Sequence, residues 1–318
     1  MKSENAGKAF EYACVMDLYT YLKDRQEVLI EESPQYRTAK GFFEGAPENI
    51  KENMRKAASA ATRAIVRLEP QLEFGTDGRL TLSLQPDAAG MTGDVRDVLC
   101  VRASSGWEIG ISCKHNHMAV KHSRLSATID FGEKWMGIPC SQQYFDVIVP
   151  IFDELAEIRK ESNATALWEH IGSEKATRYY IPVLDAFMNE MDHLYQVNPE
   201  VPERLVHYLI GFHDFYKVIA RDNFRYTQID AVNIHGTLNQ PAGGRAPLTR
   251  IPLLDLPDKI YDMDYAPGSD NKIHVVLNKG WEISMRIHNA SSRVEPSLKF
   301  DVNLISLPHS IFSMSEPW

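Results

Sequence analysis

Closely spaced cysteines are missing from this chain. Cys14, Cys100, Cys113 and Cys140 stand far apart, which excludes a zinc knuckle or a paired redox motif and leaves buried, reduced thiols as the expectation. Long apolar runs are missing too, since no stretch approaches the roughly 20 residues a membrane helix needs. The opening "MKSENAGKAFEYA" has no apolar signal-peptide core, so a cytoplasmic protein is expected. There is no Gly-rich phosphate loop, nucleophile elbow or cofactor fingerprint, and the pair of glycines at 243 reads as a loop. Positive charge is also short: 34 Lys and Arg stand against 43 Asp and Glu, a formal net charge of -9. Spread evenly, that balance would exclude a nucleic-acid partner, but a local basic stripe on an acidic protein is enough to bind phosphate. What remains is an ordinary globular composition, 44% hydrophobic and 24% charged over 318 residues, with room for one large domain or two smaller ones.

Periodicity organises the chain. Residues 4 to 22 are helical, with Glu11, Val15, Leu18 and Leu22 on one stripe, which puts a carboxylate on an otherwise apolar face. Residues 48 to 69 repeat the helical period through Ile50, Met54, Ala57, Ala61, Ile65 and Leu68. The remaining faces carry Lys51, Arg55, Arg63 and Arg67, as a helix along a phosphate backbone or a merely solvated helix would. Strands follow at 79 to 84, 94 to 102 and 107 to 114. From about 141 to 221 the chain reads as mainly helical, including "PERLVHYLIGFHDFYKVIARD", and from about 224 it reads as strand and loop, broken by "NQPAGGRAPLTRIP". "GWEIGISCKHN" at 106 and "GWEISMRIHN" at 280 are two similar strands with unmatched flanks, and not a duplication.

The hairpin formed by the strands at 94 to 102 and 107 to 114 can carry chemistry. With "ASSG" as a tight turn and Arg102 opposite Trp107, Asp97 lies across from Ser112, and Lys114 lies one diagonal away on the same face. An aspartate beside x-x-K on the neighbouring strand suits magnesium-dependent phosphodiester hydrolysis. The carboxylate holds the ion, Cys113 offers its backbone carbonyl, and the lysine orients the attacking water and offsets transition-state charge. A structural strand pair would have the same spacing. Support comes from "HNHMAVKHSRLS", read as a helix on which His117, Lys121 and Arg124 form one basic stripe able to grip phosphates. His115 and His117 have zinc-ligand spacing, but no second Cys/His pair lies nearby to complete a site.

These residues carry a family likeness. "GDVRDVLCVR…GWEIGISCKHNHMAVKHSRLS" with "FGEKWMG" after it resembles the type II restriction endonucleases of the HaeIII group, within the PD-(D/E)xK nuclease fold. Weaker likeness in "GKAFEYACVMDLYTYL", "HDFYKVIARD", "NIHGTLN" and "EISMRIHNASSRVEPSLKFDV" extends it from end to end. The resemblance implies an α/β (α+β) architecture. A PD-(D/E)xK core with a mixed sheet flanked by helices covers 1–140, a helical region covers 141–222, and a β- and loop-rich recognition part covers 223–318. It makes Asp97 the motif aspartate, Lys114 the motif lysine and Glu11 a first-helix carboxylate at the metal site. Ser112 departs from the family pattern, standing where most nucleases of the fold carry Asp or Glu, so the second carboxylate comes from elsewhere. Glu11 is the first choice, ahead of Glu108 and Asp94.

The same resemblance implies Mg2+, double-stranded DNA containing 5'-GGCC-3', blunt cutting between G and C, and a cognate methyltransferase linked genetically. A palindromic target suits a homodimer, and a monomer nicking in turn is the alternative. Arg225, Gln228, Asn233, His235, Asn239, Arg245, Arg250, Arg286, Asn289 and Arg293 are the polar side chains in the C-terminal part that suit base edges. Two other readings stand beside this one. One is a structure-selective repair or recombination nuclease of the same fold; the other is a DNA-binding protein left inactive by the serine at 112.

Overall fold

The structure, a computed structural model, describes residues 3–75, 78–86, 93–115, 121–161, 166–306 and 308–318. The chain forms two compact units, each assembled from segments distant in sequence. The first comprises Met1–Met118, Gly211–Asp255 and His309–Trp318; the second comprises Ala119–Ile210 and Leu256–Pro308.

The first unit is built on a mixed seven-stranded sheet. Its strands are β1 (Val28–Ile30), β2 (Leu80–Leu84), β3 (Val98–Arg102), β4 (Trp107–His115), β6 (Phe215–Arg221), β7 (Tyr226–Val232) and β12 (Phe312–Pro317), in the order β1-β2-β3-β4-β6-β7-β12. The β1/β2 and β4/β6 pairs are parallel and the other pairs antiparallel. One face packs helices α1 (Ser3–Leu22), α2 (Pro34–Glu44) and α3 (Glu48–Leu68); a short α4 (Pro70–Phe74) follows. Alternation explains that face: Leu80, Leu82, Leu84, Val98, Cys100, Ile109, Ile111, Cys113, Tyr216, Val218, Ile229 and Ala231 all point into the helical layer and are buried. Each buried aliphatic side chain contributes roughly 1.5–3 kcal/mol, so the register of every strand in this sheet is fixed from behind.

Helix α1 meets expectation, with Glu11, Val15, Leu18 and Leu22 all buried. Ala9, Phe10, Tyr12, Ala13 and Cys14 are buried as well, so its middle is enclosed nearly all round. In α3 the stripe Met54, Ala57, Ala61, Ile65 and Leu68 faces the core, and its alanines let the helix approach the sheet closely enough for the Thr227 hydroxyl to donate to the Ala57 carbonyl at 2.9 Å. The arginines on its outer side are engaged: Arg63 and Arg67 both pair with Glu316 of β12, and Arg55 pairs with Glu48.

Two readings of local structure are corrected. The stretch 202 to 222, read as part of a mainly helical region, divides into a helix at Val201–Ile210 and strand β6. Gly211 ends the helix at φ +84°, where an added Cβ would lie 2.7 Å from the Gly93 carbonyl, and Phe215, Lys217, Ile219 and Arg221 then alternate with Tyr216, Val218 and Ala220. The second correction concerns the basic helix after Lys114. Residues 121 to 125 form strand β5 (Lys121–Leu125), at the edge of a five-stranded sheet in the second unit, paired with β11 (Leu298–Ser306). Pairing with β11 supplied the backbone partners, and a sheet ladder overrides the weak local helical spacing.

In the second unit, β11 continues through β10 (Glu282–His288), β9 (Lys272–Leu277) and β8 (Ile260–Tyr265). An aromatic core lies in the same unit, where Phe131, Trp135, Tyr144, Phe187 and Phe300 meet with ring centroids 4.6–6.1 Å apart. Among the described residues no helix is long and apolar enough to cross a membrane.

Candidate active site

The β3/β4 hairpin forms in the register that the sequence implies, with Arg102 opposite Trp107 and Val98 opposite Ile111. Asp97 therefore enters the hairpin facing Ser112. Its backbone N–H donates to the Ile111 carbonyl at 2.9 Å, and its Oδ2 accepts three hydrogen bonds: from the Cys113 N–H at 2.6 Å, from Ser112 Oγ at 3.2 Å and from Lys114 Nζ at 3.3 Å. Three donors on one oxygen lock the carboxylate in place. Asp97 Oδ1 accepts no hydrogen bond among the described residues, which leaves one carboxylate oxygen for a cation.

Glu11 arrives from α1. It is 5% exposed and accepts a hydrogen bond from Lys8 Nζ at 3.2 Å. Burial, and next the negative charge of Asp97, push its carboxyl up to about 7. Two carboxylates held within electrostatic reach of each other in a desolvated place are a donor set that a divalent cation relieves, and hard oxygen ligands suit magnesium. The residues present therefore fit the ion. Among the described residues no group of three or more His, Cys, Asp or Glu side chains could hold a metal alone, so substrate oxygens and water would complete its coordination.

The remaining candidates divide clearly. Ser112 is buried and donates to Asp97, so it orients the aspartate. Cys113 contributes backbone here; its thiol is hydrogen-bonded with Cys14 and buried, which raises it well above the ordinary value. The fallback carboxylates are both taken by Arg96, which reaches Asp94 at 2.7 Å and Glu108 at 2.5 Å. Burial alone would raise Asp94, but the Arg96 guanidinium and Gln85 more than offset it and hold the carboxyl at about 2. His115 lies 3.0 Å from Asp222.

The basic side chains do not form the single stripe expected of them. His117 lies outside the described residues. Lys121 and Arg124, three apart on a strand, point to opposite faces. Lys121 Nζ sits 4.5 Å from the Tyr208 ring centroid, and Arg124 pairs with Glu295 at 3.0 Å. Of the base-edge candidates, Arg225 stacks on Trp318, Asn289 exchanges hydrogen bonds with Tyr180, and Arg293 donates to the Arg159 carbonyl. Gln228, Asn233, His235 and Asn239 are likewise engaged within their own unit. Arg286 is exposed on β10. Further along the hairpin, Arg96, Trp107, Glu108, His213 and His235 are among the residues lining a cleft of about 720 Å³ that includes neither Asp97 nor Lys114.

What fold and site define is a class: a mixed-sheet α+β protein whose central hairpin gathers an aspartate, a lysine and a helix-borne glutamate on one polar spot. The HaeIII restriction endonuclease family matches residues 7–308, and the type II restriction enzyme HaeIII of Haemophilus aegyptius is 42% identical over 318 residues, covering 100% of this chain and 98% of that one. The chain belongs to the HaeIII restriction endonuclease family. No solved structure matches it.

Proposed function

We propose that this protein is a type II restriction endonuclease with a PD-(D/E)xK active centre, hydrolysing both strands of duplex DNA in a magnesium-dependent reaction. Its target is 5'-GGCC-3', which the HaeIII resemblance implies, cut bluntly between G and C. The observation that carries the mechanism is the convergence of Ser112, the Cys113 N–H and Lys114 on a single oxygen of Asp97, with the Glu11 carboxylate beside it.

Asp97 and Glu11 would hold Mg2+, together with the Cys113 carbonyl in the role the family pattern gives it. When bound, the ion would polarise the scissile phosphate and lower the pKa of a water bound to it. Lys114 acts on the substrate side. Its ammonium, a third exposed and tethered to Asp97, is placed to orient the attacking water and to offset charge on the pentacovalent transition state. Ser112 keeps Asp97 in position, which accounts for a serine in a slot where the fold usually carries a carboxylate. Since Glu11 can supply the second carboxylate, the serine is compatible with an active enzyme.

The active form expected for a palindrome is a two-fold homodimer, with a methyltransferase protecting the same sequence in the host cytoplasm. Incubating the purified protein with a plasmid of known sequence, in magnesium and in chelator, tests the reading. Blunt ends within every GGCC, seen only with the metal, are expected; discrete cleavage at another sequence would overturn the specificity, and cleavage surviving chelation would overturn the metal role.

A further inference from the structure

The polar face of the first unit's sheet continues past the hairpin. Ser112 pairs in register with Lys217 of β6, and Lys114 pairs with Ile219. Paired residues in a parallel ladder point to the same side, so Lys217, Ile219 and Arg221 share the face of Ser112 and Lys114. Lys114 is thus the diagonal neighbour of both Lys217 and Arg221, about 7–8 Å away between Cα atoms.

Neither Lys217 nor Arg221 has an ion pair among the described residues. Lys114 is paired with Asp97, but no carboxylate lies within ion-pair distance of Lys217 or Arg221 among the described residues. Asp230, opposite Lys217 on β7, is occupied by Gln228 Nε2 at 2.9 Å and Ser313 Oγ at 2.6 Å. Arg221 Nε is buried without a hydrogen-bond partner among the described residues. Lys217 is half-buried; desolvation lowers its ammonium, Asp230 works against that, and Lys114 and Arg221 lower it further. A protein of net charge -9 has therefore left two neighbouring cations without an ion pair beside its candidate active centre, with Asp230 acting on Lys217 only at longer range. Unpaired, desolvated positive charge is costly in the free protein, and an incoming anion removes that cost.

We propose that Lys217 and Arg221 form a phosphate-binding cradle on β6 that grips the DNA backbone next to the scissile group. This rests on the reading of Asp97 and Lys114 as the hydrolytic centre. The ligand is a phosphodiester of the duplex, and the cradle fixes the strand on which Lys114 and the bound metal act. Lys217 and Arg221 contact the flanking phosphate and leave sequence reading to other residues.

The test uses full-length Lys217→Met, Arg221→Met and Lys217→Arg proteins with a synthetic duplex containing one GGCC site. Duplex affinity is titrated against NaCl with Ca2+ in place of Mg2+, single-turnover cleavage is followed in Mg2+, and thermal melting is recorded without DNA. Each methionine variant should flatten the slope of log affinity against log salt by about 0.9, the value of one phosphate contact. Cleavage should fall on the order of 100-fold. Lys217→Arg should restore the slope. Melting temperatures should stay level or rise, because the lost cation had no partner. An unchanged slope with unchanged cleavage overturns the cradle, and so does a lower melting temperature with an unchanged slope, which would make the residues structural. Should Lys217→Met fold poorly, Arg221→Met decides the matter alone. Lys114→Met, run alongside, separates the two claims: if it cuts normally, the hydrolytic centre has been misplaced, whereas if it is inactive while the β6 variants behave as wild type, only the cradle fails.

Discussion

What each polar side chain is already bonded to determines what its removal would cost. Ser112 supports Asp97 through one hydrogen bond, so Ser112→Ala should reduce single-turnover cleavage only on the order of fivefold, the worth of one such bond. A loss of several hundredfold would instead make the hydroxyl part of the chemistry. Arg96 carries a different load, binding Asp94 and Glu108 while itself nearly buried. Asp94 has its folded value held at about 2, below the ordinary range, so its stabilisation is complete above about pH 4 and is lost as the pH falls towards 2. That contribution is about 2 kcal/mol. In denaturant titrations across this window, Arg96→Met should be less stable than wild type at neutral pH and lose little more on acidification. A variant that still lost stability between pH 4 and 2 as wild type does would contradict the pairing. Of the residues in this candidate cluster, Asp97, Ser112 and Lys114 could be placed together from sequence because strand alternation fixes which side chains share a face, while Glu11 was joined to them only through the family resemblance. Arg96 was not legible, since alternation gives the side it takes but not that Asp94 and Glu108 both turn to meet it.

At the scale of elements, register decided what could be read. The hairpin was legible because both strands alternate cleanly around a short turn, and the structure pairs them in the predicted register. β6 was not, because helical context upstream carried the reading through Gly211 into "FYKVIAR", and with it Lys217 and Arg221 escaped notice. A glycine at positive φ followed by strict alternation was the available signal. β5 was missed for another reason, since its partner β11 lies far downstream and only the fold brings them together. One buried carboxylate ties elements to each other in the first unit. Glu69, at the junction of α3 and α4, accepts hydrogen bonds from the Tyr216 hydroxyl of β6 at 2.7 Å and from the Asn239 N–H at 2.5 Å, while its Oε2 has no partner among the described residues. Burial raises it to about 7. A folded value above the unfolded one means stabilisation that is full below about pH 4.5 and is lost as the pH rises through 7, roughly 3 kcal/mol in all. Glu11, also raised to about 7, loses stabilisation in the same window, so Glu69→Gln should make the decline shallower without abolishing it, as denaturant midpoints measured from pH 4.5 to 8 would show; a decline as steep as that of the wild type would place the titration elsewhere.

For the whole molecule, a mixed sheet is closed on one face by helices α1 to α3 and presents polar residues on the other. The apolar face fixes strand positions, and the polar face is thereby free to carry groups that are poor for stability, such as an aspartate beside a buried glutamate and two cations without an ion pair among the described residues. Family membership agrees with the end-to-end likeness read from the sequence. Composition could not reveal it: the net charge describes the surface average, while the chemistry depends on a few side chains whose neighbours are set by strand order. The central claim is that the cluster on the β3/β4 hairpin performs the hydrolysis, and single-turnover cleavage of a GGCC duplex by Lys114→Met, with duplex affinity measured in Ca2+, tests it most directly. Because Lys114 is already paired with Asp97 in the free protein, its loss should cost little binding and about 10²- to 10³-fold in cleavage. Cleavage at the wild-type rate, or binding that falls as far as cleavage does, would place the hydrolysis elsewhere than on this hairpin.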